Sequence, residues 1–199
     1  MQTCPFCEKQ NVTPVLKNIQ KNGNAYDVSE CLECEIAATH PFPSEDELTR
    51  LYACGNYRTD EGKRFGLIIE SLILLGRILK RRSINKYVKP GKILDIGCGR
   101  GLFLDVMRRG GWRAIGTELN EETASYAIKV YDLKIHTGDI IQHQFPTESL
   151  DAININQVLE HLKNPKEVLA ECSRLLRKDG LLIISVPDLR SPQFTLGKE

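Results

Sequence analysis

Apolar positions along the chain follow two different periods. Between residues 88 and 188, short runs rich in apolar residues alternate with stretches whose apolar residues recur every three or four positions. Ile93-Leu-Asp-Ile96, Trp112 to Glu118, Leu133 to Thr137, Asp151 to Asn156 and Leu181 to Val186 read as strands. Leu102 to Arg109 reads as the helix that follows the first of them. Ahead of the fifth strand, Asn164-Pro165-Lys166-Glu167 is a helix start with a cap, a proline at the first helical position and a capping-box acid. Leu169, Cys172, Leu175 and Leu176 then form its apolar stripe, and Gly180 is expected to stop the helix. Strands alternating with helices in this way predict an α/β domain with a mostly parallel sheet.

The earlier residues are organised differently. Val12 to Ile19 and Ala25 to Glu30 read as strands joined by a hairpin turn at Lys21-Asn-Gly-Asn24. His40-Pro-Phe-Pro43 reads as an extended linker, and Ser44-Glu-Asp-Glu47 opens a short helix with a capping box before Leu48, Leu51 and Tyr52. After a loop containing Asn56 and Tyr57, a longer helix is predicted from about Gly62 to Tyr87. Its Ile68, Leu72, Leu75 and Leu79 share one face, whose period suits packing on the sheet or covering a ligand. The expected division is therefore residues 1–40, a helical connector over 41–88, and the α/β domain over 89–199.

Cysteine spacing gives the first segment its chemistry. Four of the seven cysteines form two C-x-x-C pairs, Cys4/Cys7 and Cys31/Cys34, with 23 residues between them. Two such knuckles can complete a closed tetrahedral thiolate site, so the segment reads as a zinc ribbon with structural zinc; a redox pair or disulfides are the alternative. So small a segment would draw its folding energy from the metal. Cys54, Cys98 and Cys172 are scattered and read as core or loop residues. With 27 basic and 26 acidic side chains, a net charge of +1 exerts no general pull on nucleic acid or membrane. The start of the chain lacks a basic, then apolar leader, and the apolar stretch Gly66 to Leu79 contains Glu70, Ser71 and Arg77 and is too short for a bilayer. The expectation is a soluble, cytoplasmic protein without a membrane partner.

The most informative chemistry lies at the end of the first α/β strand, where Asp95 precedes Gly97, Gly99 and Gly101. A dinucleotide fingerprint would need its third glycine at position 102, which is Leu102. The pattern D-x-G-x-G-x-G instead resembles motif I of the class I methyltransferases that use S-adenosylmethionine (SAM). Glu118 ends the second strand 21 residues after Gly97, Asp139 and Ile140 follow the third, and Asn156-Gln157 closes the fourth. The resemblance covers about residues 88 to 188 and implies a doubly wound sheet in the order 3-2-1-4-5, with SAM across the strand ends between strands one and four. It implies that Asp95 and the turn Gly97-Cys98-Gly99-Arg100-Gly101 hold the methionine end, with Cys98 a small space-filler. It further implies that Glu118, with Leu119 beside it, holds the ribose, that Asp139 and Ile140 hold the adenine, and that Asn156 and Gln157 border the site. A carboxylate at Glu118 suits a vicinal diol and would repel the extra phosphate of NADP. Glu160 and His161 are the candidates for proton transfer or substrate contact.

The resembling family favours a small-molecule acceptor, such as a sugar or nucleotide-linked sugar. An RNA methyltransferase is the alternative enzyme, because Arg77, Lys80, Arg81, Arg82, Lys86, Lys89 and Lys92 form a basic run without an intervening acid. Against it, the run reads equally as a solvated helix face and lacks the interleaved aromatics of a single-strand binder. A non-catalytic interaction module is the third reading, and retention of all three acids counts against it. Complete domains of the family carry strands six and seven, which residues 188–199 cannot supply. Either the sequence is a fragment, or an apolar sheet edge is left for a partner or a second copy in a homodimer.

Overall fold

The computed structural model describes residues 3–21, 23–44, 47 and 66–191. The expected short helix through Leu48, Leu51 and Tyr52, the Asn56-Tyr57 loop, Cys54 and residues 62–65 of the predicted long helix lie outside these residues. Contacts divide the chain into two compact units. One groups the cysteine-bearing segment with residues 160–166 and 187–191, and the other groups residues 66–159 with 167–186.

In the first unit, strands β1 (Val12–Lys21), β2 (Asn24–Cys31) and β3 (Ala37–His40) form an antiparallel sheet in the order β1-β2-β3. The hairpin lies where the sequence places it, with Lys21 opposite Asn24. β3 was not anticipated, since Ala37-Ala-Thr-His40 is too short and weakly patterned to read as a strand; pairing with β2 makes it one. Ser44 and Glu47 form the expected capping box: the Glu47 amide donates to Ser44 Oγ at 3.3 Å, and the Ser44 amide donates to the Glu47 carboxylate at 2.7 Å. Three ion pairs tie the later segments into this unit, Lys166 with Glu8 at 2.5 Å and Arg190 with Glu30 at 2.9 Å and with Glu35 at 3.1 Å.

The second unit begins with helix α1 (Leu67–Ile84). Its sheet contains β4 (Lys92–Ile96), β5 (Arg113–Glu118), β6 (Lys134–Thr137), β7 (Leu150–Asn156) and β8 (Leu176–Ser185), joined through α2 (Leu102–Arg109), α3 (Glu121–Tyr131) and α4 (Pro165–Leu175). All pairings are parallel and the order is β6-β5-β4-β7-β8, which counted from β4 is 3-2-1-4-5. The central strands are buried on both faces, as their largely apolar runs, interrupted by Asp95 in β4 and Asn154 in β7, lead one to expect; Ile93, Leu94, Ile153 and Ile155 have no exposed surface. Phe103, Met107 and Trp112 pack with Ile84, Ile93 and Ala152 in one cluster, and Leu104, Ala127 and Leu133 form another. The buried Trp112 indole N–H donates to Asn85 Oδ1 at 2.9 Å, which satisfies its polar edge just past the end of α1.

Two details differ from the expectation. Helix α4 ends at Leu175 and β8 begins at Leu176, so Gly180 lies within the strand and does not stop the helix. Leu150 pairs with Leu176 and Ala152 with Leu181, so the residues between them bulge out of the ladder, with Asp179 at φ 68°. The stripe Ile68, Leu72, Leu75 and Leu79 is exposed, 48–79% in each case. α1 instead turns the side of Arg77, Lys80, Arg81 and Ile84 inward, where Arg81 Nη1 donates to the Val106 carbonyl at 3.0 Å. β8 is the outer strand of this sheet, and Ile184 and Val186 beside it are exposed.

Ile153 lies at the centre of the sheet on β7. Ile153→Ala should cost about 2–5 kcal/mol through lost burial and the cavity left behind. Urea unfolding should therefore show a lower midpoint with an unchanged m-value.

Candidate functional site

The crevice is set by where the chain reverses direction across the sheet. β4 and β7 are adjacent central strands, and the strand order reverses between them, which is where open α/β sheets take ligands at the carboxyl ends of their strands. At the amino ends of these strands the Lys92 amide donates to Asp151 Oδ2 at 2.6 Å. Near the carboxyl ends, Asn154 Nδ2 donates to Asp95 Oδ1 at 2.6 Å, both side chains being buried. Burial pushes the Asp95 carboxyl up to about 6, opposed by the Asn154 hydrogen bond and by the charges of Lys80 and Arg77.

Beyond Asp95 the turn is left-handed at its glycines. Gly97 has φ 66°, and a Cβ there would lie 2.5 Å from Val158 Cγ2, so the residue must be glycine on both counts. Gly99, at φ 55°, would meet nothing within 4 Å; the space over it is open to a ligand. Cys98 donates its amide to the Thr117 carbonyl, and burial, with Asp95 and Glu118 nearby, raises its thiol pKa. This is the chemistry of a space-filler, since a reactive cysteine needs a stabilised thiolate.

Glu118, at the end of β5, clamps the turn: Oε2 accepts from the Gly99 amide at 2.9 Å and Oε1 from the Asn120 amide at 3.0 Å. Each oxygen retains a further acceptor site, which a diol could use. Leu119 beside it is 64% exposed. Asp139 Oδ1 accepts from the Ile141 amide at 3.0 Å and caps the short turn that follows, while Ile140 is buried beneath it. Asn156 ends β7, and its Oδ1 accepts from Lys80 Nζ at 3.1 Å. Gln157 is exposed at φ 55°, with its amide bonded to the Ser185 carbonyl at 2.8 Å. A non-glycine residue held in this region stores strain, a feature that clusters at functional sites. Asp95, Glu118, Asp139 and Asn156 thus follow four successive places across one edge of the sheet. Glu160 and His161 belong to the first unit, where His161 Nε2 lies 3.9 Å from Glu160 Oε1.

Two residues of the crevice escaped the sequence reading. Asn154 is a polar side chain within the run Ala-Ile-Asn-Ile-Asn, and that interruption of a buried strand was a readable signal. Lys80 was counted with a solvated basic face; its helical spacing from Arg77 and Ile84 was the signal that it points inward.

In the first unit, the Sγ atoms of Cys4, Cys7, Cys31 and Cys34 all lie within 4.8 Å of one another. Cys4 to Cys34 and Cys7 to Cys31 are each 3.5 Å, far beyond the S–S bond length of about 2.05 Å, so no disulfide joins them. Tetrahedral zinc with Zn–S of about 2.3 Å would space its sulfurs about 3.8 Å apart, and the set fits. The Phe6 amide donates to Cys4 Sγ at 3.4 Å. The Cys34 amide, foremost among its neighbours, stabilises the Cys31 thiolate and brings that thiol down to about 7.

Residues 94–184 match a family described as a methyltransferase domain. A probable SAM-dependent methyltransferase of Mycolicibacterium smegmatis is 31% identical over 97 residues, covering 48% of this chain and 38% of that protein. A ubiquinone biosynthesis O-methyltransferase of Glaesserella parasuis is 34% identical over 115 residues, covering 53% and 49%. The chain thus spans at most about half the length of these relatives. A solved SAM-dependent methyltransferase from Archaeoglobus fulgidus superposes with a TM-score of 0.54 at 27% identity, covering 61% of this chain and 56% of that one. A Pyrococcus horikoshii protein, with a TM-score of 0.57 at 23% identity over 75% and 66%, shares the fold.

Ionised Asp95 weakens the folded state, because its carboxyl titrates at about 6 when folded against 3.8 ordinarily. Between those values the folded chain keeps a proton that the unfolded chain has lost, so stability falls as pH rises from about 4 to about 6 and stays lower above that. The shift corresponds to on the order of 3 kcal/mol. Asp95→Asn should therefore raise the unfolding free energy at about pH 8 by ~1–3 kcal/mol, and the gain should vanish towards pH 4. Urea titrations at the two pH values test this; an equal gain at both would rule out ionisation as the cause.

Proposed function

Since residues 94–184 form a class I SAM-dependent methyltransferase domain, we propose that this protein binds SAM in the crevice between β4 and β7 and transfers its methyl group to a small-molecule acceptor. The observation that carries the reading is the turn at Gly99, open above and flanked by acids at successive strand ends. Bound SAM supplies a methyl group already activated on a positive sulfur. The protein's part is to hold and aim: Asp95 and the turn of Gly97, Cys98, Gly99 and Gly101 take the methionine end, and Glu118 the ribose hydroxyls with Leu119 alongside. Asp139 and Ile140 take the adenine, and Asn156 and Gln157 border the acceptor. Catalysis then comes mainly from proximity and orientation.

A relative named as an O-methyltransferase supports an oxygen acceptor, and a sugar or nucleotide-linked sugar falls within that class. The basic run gives little support to RNA. Lys80 and Arg81 are half-buried and hydrogen-bonded to Asn156 and the Val106 carbonyl, which leaves both less available to an RNA backbone. Among the described residues no helix is long and apolar enough to cross a membrane. Glu160 and His161 keep a proposed role in substrate contact, and structural zinc is proposed at Cys4, Cys7, Cys31 and Cys34.

Two measurements test these readings. Calorimetric titration with SAM should give saturable binding, and Glu118→Gln should weaken it about 10- to 100-fold, as expected for a hydrogen bond to a charged group. No binding by the folded wild-type chain would refute the cofactor assignment. Purified protein should carry about one zinc per chain by atomic emission, and Cys31→Ser should abolish it. Hydrogen exchange should then rise in β1 and β2 while β4 and β7 stay protected; full zinc occupancy in Cys31→Ser would refute the site.

A further inference from the structure

Lys80 is the one side chain of α1 whose nitrogen is bonded to the carboxyl end of β7. Its Nζ donates to Asn156 Oδ1 at 3.1 Å and lies 5.4 Å from the centre of the Phe103 ring on α2. Among the described residues no carboxylate comes within ion-pair distance of it. The charged groups around it are Asp95 on β4, which favours the ammonium form, and Arg77 on its own helix, which opposes it. Phe103 from α2 and Asn156 from β7 add a ring face and a neutral acceptor. This is an amine tethered at the carboxyl end of β7, held by a hydrogen bond that the neutral form can also donate.

Resting on the SAM reading above, we propose that Lys80 is the general base of the transfer, and that the acceptor carries a hydroxyl of phenol-like acidity. Bound SAM brings a second positive charge into the crevice, and that charge disfavours the ammonium and releases its proton to solvent. Neutral Nζ then takes the hydroxyl proton as the acceptor oxygen bonds the methyl carbon and the carbon–sulfur pair stays on sulfur. The positive charge lost at sulfur reappears on Lys80, so the net charge of the crevice is conserved through the step. Asn156 acts as a positioning residue, orienting the amine. Burial lowers the Lys80 pKa before any ligand arrives, with Asp95 opposing, which brings the amine closer to the working range of a base. A lysine amine, whose ordinary pKa is about 10.4, suits a hydroxyl of pKa about 10 and serves a simple alcohol poorly.

The test needs no acceptor. Calorimetry of the full chain at about pH 8.5, in two buffers of different ionisation enthalpy, counts protons released on binding SAM, a cation, and S-adenosylhomocysteine, its uncharged-sulfur product. The wild type should release a large fraction of a proton with SAM and several-fold less with S-adenosylhomocysteine. Lys80→Met and Lys80→Arg should bind S-adenosylhomocysteine, showing that they fold, and should lose the extra release with SAM. Equal release with both ligands, or extra release that persists in the variants, would overturn the proposal while leaving the cofactor site intact. If neither ligand binds the wild type, the cofactor reading fails and this proposal with it.

Discussion

The hydrogen bond from Asn154 to Asp95 is the contact on which the rest of the second unit turns. It joins the two central strands inside a region otherwise filled by Ile93, Leu94, Ile153 and Ile155, where an unpaired carboxyl would be costly. Because one partner sits on β4 and the other on β7, it fixes the register at which the two strands run out into the crevice. The glycine turn, the Glu118 clamp and the Asn156 terminus all begin within a few residues of it. A buried acid with a raised pKa at this place is a stability cost, and it lies at the strand end proposed to hold the methionine portion of SAM.

The acids at the neighbouring strand ends do two things at once. Glu118 holds the amides of Gly99 and Asn120, and Asp139 caps the turn after β6. These are the ordinary structural duties of such residues, and they leave room for the ligand contacts proposed above, because a carboxylate accepts more hydrogen bonds than the backbone supplies here. Holding the turn in shape before a ligand arrives means that little ordering remains to be done on binding. The same economy applies to the four cysteines, which two tight knuckles bring together within a sheet too small for a substantial core.

Most of the α/β unit was legible in the chain. Largely apolar runs mark strands buried on both faces, and the spacing of Asp95, Gly97, Gly99 and Gly101 by itself excludes a dinucleotide turn. Where the reading went astray, a local signal had two outlets. Gly180 can stop a helix or permit a bulge, and the pairing of Leu150 with Leu176 chose the bulge. The stripe of Ile68, Leu72, Leu75 and Leu79 has the period of a buried face, yet the side carrying Arg77, Lys80, Arg81 and Ile84 turned inward. Long cationic side chains can bury their stems while carrying their heads to polar partners, so apolar content alone does not orient a helix.

By itself, the sequence determined the order of strands and helices, the left-handed turn after β4, the acids at strand ends and the pairing of cysteine knuckles. Each of these depends on residues close together in the chain, through periodicity, glycine stereochemistry or ligand spacing. Tertiary structure decided what those residues meet. It made Ala37–His40 a strand by pairing it with β2, gave Asp95 its buried amide partner 59 residues away, and brought Lys80 to Asn156 across 76 residues. Such contacts follow from how elements pack, and no local pattern records which face of α1 meets the sheet or how far an amine will reach.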